Sequence, residues 1–170
     1  MALMNATDRP LNDAMLAKTR QQIDAKIPAR WQRDHLAIVV AGMELMYSEE
    51  TYRMAVNAMA AVIKSKPPQA AAALATVSLI AMIYRESQQK MSVPASFSAA
   101  LVLLCYVLEY LEQAQGITIT PKLFAQASAA TTLGLFKLFG ITQQQLTQAT
   151  QGQPPSQATP QPTVAAQGGA

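Results

Sequence analysis

Apolar positions recur along this chain at helical spacing, and almost nowhere at the two-residue spacing of a half-buried strand. Leu36, Val39, Val40, Met43, Met46 and Tyr47 form one such series, set beside the charged Arg33, Asp34 and Glu44. Met54, Val56, Met59, Val62 and Ile63 follow a looser version of the same period. Leu123, Phe124, Ala127, Leu135, Phe136, Leu138 and Phe139 crowd a last one. Pro28, Pro67, Pro68, Pro94 and Pro121 stand where helices begin, because a first turn has no use for the missing N–H. Ser48 before Glu49 and Glu50, and Thr120 before Pro121, offer side-chain oxygens to unpaired first-turn amides. Gly116 and Gly140 follow apolar runs and accept the left-handed turn that closes a helix. The pattern predicts helices near 12–26, 29–47, 49–65, 68–90, 95–115 and 121–139. The short loops between them favour antiparallel neighbours, so the expected fold is all-α, a bundle of about six helices. "ITIT" at 117–120 alternates like a strand but has no partner strand, which makes it an extended connector.

The pattern stops at Ile141. From 142 to 170 the chain holds nine glutamines, four prolines and no charge. So few apolar anchors cannot offset the entropy of ordering, and a disordered tail is expected. Two regions result: a helical bundle domain over 1–141, and a Gln/Pro-rich tail over 142–170 whose neutrality suits a flexible tether or packing tail better than a nucleic-acid arm.

Two uncharged runs of eighteen residues stand out, 67–84 between Lys66 and Arg85 and 91–108 between Lys90 and Glu109. Eighteen residues is the low edge of membrane-spanning length. The first run is rich in alanine, which adds almost nothing to insertion, whereas leucine adds about −0.5 kcal/mol. The second contains Ser92, Pro94, Ser96 and Ser98, so its truly apolar part runs only from Ala99 to Leu108. On a helical wheel Phe97, Leu101, Leu104, Cys105, Leu108 and Leu111 share one face. Val102, Leu103, Tyr106, Val107 and Tyr110 cover most of the rest. A helix that is apolar all round belongs at the centre of a bundle. Leu104 and Leu108 are therefore expected in the core, with Glu109 and Glu112 toward the wet end. Leu101, Leu104, Leu108, Tyr106 and Tyr110 are the candidate residues for oligomer or membrane contact.

Composition sharpens this picture. Hydrophobic residues make up 51% of the chain and charged ones 14%, against about 25% charged in ordinary domains. Such a surplus of apolar surface points to self-association, and a homo-oligomer is expected. The net charge is +3, and basic residues alternate with acids, so sequence-specific nucleic-acid binding is not expected. Cys105 is the only cysteine and sits in the most apolar run, as a buried structural thiol does. The N-terminal segment has no apolar core behind a basic end, so no signal peptide is read there.

Candidate chemistry is sparse. His35 is the one histidine; its neighbour Asp34 diverges from it by about 100° on a helix, so a catalytic pairing needs partners from elsewhere in the fold. Glu109 and Glu112 are three apart, but the His three residues after a Glu that di-iron bundles use is missing, and solvation or pairing with Arg85 is expected instead. One His and one Cys do not make a zinc site. Neither phosphate-binding glycine motif occurs. Gly42 in "VVAGMEL" is expected to permit close helix packing together with Ala37 and Ala41. No enzyme, metal or cofactor is expected.

The succession "IVVAGMELMYSEETYRMAVNAM", an apolar helix, "PASFSAALVLLCYVLEYLEQAQGITITPKLFAQA" and a closing "LFKLFGI" resembles small α-helical virion structural proteins of tailed bacteriophages, over about residues 34–141. The resemblance implies a non-enzymatic particle component, an internal protein ejected with the genome that assembles in an envelope-spanning channel. Its partners would be other virion proteins and the bacterial membrane, and its location the virion and then the host envelope. The alternatives are a fixed capsid, neck or tail component, and a helical membrane-acting effector.

Overall fold

The computed structural model describes residues 13–48 and 65–142, and every regular element among them is an α-helix. These are α1 (Asp13–Asp24), α2 (Ala29–Tyr47), α3 (Pro68–Glu86), α4 (Val93–Gln115) and α5 (Pro121–Leu138), all within one compact unit, Met1–Gly140. The helix expected over 49–65 and the tail lie outside the described residues, apart from Ser65 and Thr142 at their edges.

The helix ends follow the local signals. Ser92 and Thr120 cap α4 and α5, their hydroxyls accepting from the amides of Ala95 and Leu123 at 3.5 and 3.2 Å. Gly116 closes α4 in the left-handed region with φ +65°, its amide donating to Glu112. The helix expected over 68–90 stops at Glu86. Gln88 and Gln89 turn left-handed, with φ 54° and 63°, and the amide of Gln89 donates to the carbonyl of Tyr84. That five-residue reach is the closure of a Schellman motif, built here without glycine.

α4 is the axis of the bundle, in contact with each of the other four described helices. Leu103, Leu104, Cys105, Val107, Leu108 and Leu111 are fully enclosed. The bundle core divides along α4. Toward its C-terminal half, Leu104, Leu108 and Leu111 pack with Leu16, Met46, Ala72, Leu79, Ile119 and Ala127. Toward its N-terminal half, Ala95, Ala99, Ala100 and Leu103 pack with Ile38, Ile80, Ile83 and Leu135. Phe97 meets Phe136 and Phe139 at centroid distances of 5.2 and 6.0 Å, and Phe139 meets Tyr84 edge-on, tying the ends of α3 and α5 to the start of α4. The "ITIT" connector is extended: Ile119 is fully buried, Ile117 half-buried and Thr118 exposed. Its alternation records one-sided packing on the bundle.

Two glycines set helix separations. A Cβ on Gly42 would stand 2.6 Å from both methyls of Leu103, and one on Gly134 2.6 Å from a Val77 methyl. Gly42 therefore does permit close packing, against α4, while Ala37 faces solvent. This contact also corrects the expected apolar stripe of α2. The buried face is His35, Ile38, Gly42 and Met46, whereas Leu36, Val40 and Tyr47 are exposed. With the close approach at Gly42, α2 turns His35, Ile38, Gly42 and Met46 inward and leaves Leu36, Val40 and Tyr47 outward.

Candidate functional site

The site to consider is α4 itself and the polar contacts that hold other helices against it. Near its C-terminal half, Glu109 forms an ion pair with Arg20 of α1, whose guanidinium also lies 4.2 Å from the ring centroid of Tyr106. The side chains of Arg20 and Glu109 retain only 17% and 15% of their exposure. Burial works against the Arg20 charge, but the hydrogen bond and the field of Glu109 prevail and raise its pKa. The pairing expected with Arg85 is thus replaced by one with Arg20, because α1 and not the end of α3 lies over Glu109. One helical turn away, desolvation pushes the Cys105 thiol up to about 12, which keeps it protonated and inert at neutral pH.

A second strut lies near the N-terminal half. His35 of α2 is 5% exposed, and its Nε2 lies 2.8 Å from a carboxylate oxygen of Asp24, at the end of α1. Its Nδ1 lies 2.9 Å from the hydroxyl of Ser98 on α4. Because a carboxylate only accepts, Nε2–H donates to Asp24. Nδ1 then accepts from Ser98, or, in the imidazolium, donates to it while the Ser98 hydroxyl donates to Ala95 at 2.9 Å. Both protonation states leave every group partnered, so one histidine joins three helices without an orphaned polar atom.

Asp24, His35 and Ser98 thus stand in the order of a hydrolytic relay. Nucleophilic catalysis also needs donors aimed at the developing oxyanion. The backbone amides beside Ser98 are engaged inside α4, beyond its first turn. What the contacts themselves do is join α1, α2 and α4. Among the described residues no cluster of His, Cys, Asp or Glu could hold a metal ion.

Of the five candidate contact residues, Leu104 and Leu108 are fully buried, while Leu101, Tyr106 and Tyr110 are half-buried. Tyr106 and Tyr110 pack against the core from its rim. In this conformation Leu104 and Leu108 contact the chain's own helices; the exposed end of α4 begins at Gln113, while Glu109, expected toward the wet end, is largely enclosed and held by Arg20. The polar partners of α4 escaped sequence reasoning. Arg20 precedes Glu109 by 89 positions and Ser98 follows His35 by 63, so no local pattern could have signalled them. No family model matches the chain, and no curated protein or solved structure matches it.

Proposed function

We propose that this chain is a non-enzymatic structural protein of a bacteriophage particle, an internal protein ejected with the genome that self-assembles in an envelope-spanning channel. The observation that supports this reading is the double character of α4. By length and composition Val93–Gln115 could cross a membrane, yet here the four other described helices pack around it. Part of the contact between α3 and α4 is made by small side chains, since Ala71, Ala72 and Ala73 of α3 and Ala95, Ala99 and Ala100 of α4 are all buried. At about 25 cal/mol per Å², alanine contacts release far less than leucine contacts when separated. Arg20 neutralises Glu109, the first charge on the apolar stretch, for as long as α1 stays in place.

A fixed capsid, neck or tail component is the second reading, favoured by the complete burial of Leu103, Leu104 and Leu108, since the core helix of a soluble bundle has the same composition as a membrane span. Mass spectrometry of purified particles before and after genome release separates the two. Loss of the chain from emptied particles is the expected result, and full retention would establish the fixed component. Liposome flotation at neutral and acidic pH tests the membrane step; no association at either pH removes it.

A further inference from the structure

The outward face of α2 carries the pattern of a self-complementary interface. Opposite the buried His35, Ile38, Gly42 and Met46 lie Arg33, Leu36, Ala37, Val40 and Glu44, all exposed. Leu36 is 62% and Val40 47% exposed. Single exposed apolar residues are ordinary. Here, however, two stand on consecutive turns, with Arg33 before them and Glu44 after them on the same face. Arg33 and Glu44 are three turns apart, about 16 Å along the axis, and cannot pair within one helix. Any pairing between these two positions therefore needs a second copy of the chain.

We infer that two copies of this chain associate through α2, packed antiparallel about a two-fold axis between residues 38 and 39. This deepens the self-assembly proposed above by naming its surface, and it rests on that reading. An antiparallel two-fold pair sets residue i opposite residue 77 − i of the partner, an arithmetic centred on the midpoint of Arg33 and Glu44. Arg33 then meets the partner's Glu44, and Glu44 meets the partner's Arg33. Val40 then lies opposite the partner's small Ala37, which lets the two axes approach, and Leu36 lies one residue out of register with the partner's Val40 on the same edge. A two-fold axis preserves the lateral edge of each helix, so the apolar residues meet along one side and the charges along the other. A parallel pair would instead set Arg33 against Arg33 and Glu44 against Glu44, which disfavours it.

The test is sedimentation equilibrium of the full-length chain from 1 to 100 μM, with circular dichroism to verify folding of each variant. Wild type should dimerise. Glu44→Arg or Arg33→Glu should weaken the dimer at least tenfold, because each creates two like-charge contacts, and the Arg33→Glu/Glu44→Arg double variant should restore it. Mixed chains carrying Arg33→Cys and Glu44→Cys should cross-link to each other on mild oxidation, and neither should cross-link to itself. A wild type that stays monomeric would overturn both this inference and the self-assembly reading. Oligomers indifferent to the charge reversals would overturn the α2 interface alone. A monomer whose liposome binding is abolished by Leu36→Asp would assign the face to lipid, and one whose stability falls on that substitution would assign it to cover from within the chain. Either outcome overturns the inference.

Discussion

Arg20 and Glu109 provide the most informative perturbation, because they join α1 to the one helix whose composition suits two environments. Arg20→Met keeps most of the side-chain volume while removing the charge and its contact with the Tyr106 ring. Severing a fully buried pair costs about 3–5 kcal/mol, and an exposed pair contributes about 1 kcal/mol or less. Residual exposures of 17% and 15% place this pair nearer the buried limit but with some relief from solvent. Arg20→Met is therefore expected to lower stability by about 2–3 kcal/mol, mostly by stranding the Glu109 carboxylate in a partly dry site. Glu109→Gln removes the charge that would be stranded. Added to Arg20→Met, it should recover at least about 1 kcal/mol relative to the sum of the single effects. The assay is urea unfolding followed by circular dichroism, with linear extrapolation for all four members of the cycle. Strict additivity within about 0.5 kcal/mol would refute the reasoning and reduce the pair to a surface bridge. The same variants extend the argument to lipid: if α4 inserts, Glu109→Gln should strengthen liposome association, since it removes the carboxylate and loosens α1 together.

Leu104→Ala should lower stability by about 2–5 kcal/mol in the same titration, since the side chain is fully enclosed; a loss below about 1 kcal/mol would mean the site collapses freely or is not core. Gly42→Ala should destabilise by about 1–3 kcal/mol through overpacking, because the new methyl meets Leu103 at 2.6 Å; unchanged stability would show that Leu103 can retreat. Cys105 should resist a thiol reagent in the native protein at pH 8 and react fully in urea, and rapid native labelling would contradict its enclosure. With its pKa raised to about 12 from an unfolded value near 8.5, the folded chain holds the proton more tightly. The thiol's stabilising contribution is thus present below about pH 8.5 and declines between there and about pH 12; a contribution rising with pH in a comparison with Cys105→Ala would reverse the assignment.

The all-helical character of the described residues, most of their helix boundaries and the central position of α4 follow from local information. Helix period, first-turn prolines and closing glycines act within a few residues, so Thr120, Pro121 and Gly116 could be read in place. The largely apolar perimeter of α4 placed it at the centre, although Leu101, Tyr106 and Tyr110 stay half-buried. The early end of α3 was hidden because Gln88 and Gln89 adopt a left-handed turn that glutamine does not advertise. Which face of each outer helix meets α4 was decided only by the tertiary structure. Leu36 and Val40 looked like core by periodicity, but the contact of Gly42 with Leu103 turned α2 away from them. Arg20 with Glu109, and Asp24 with His35 and Ser98, were likewise beyond sequence pattern. Hydrophobic burial is nondirectional and leaves helix rotation open; close approach at a glycine and paired polar groups across distant segments are directional, and they exist only once the helices are docked.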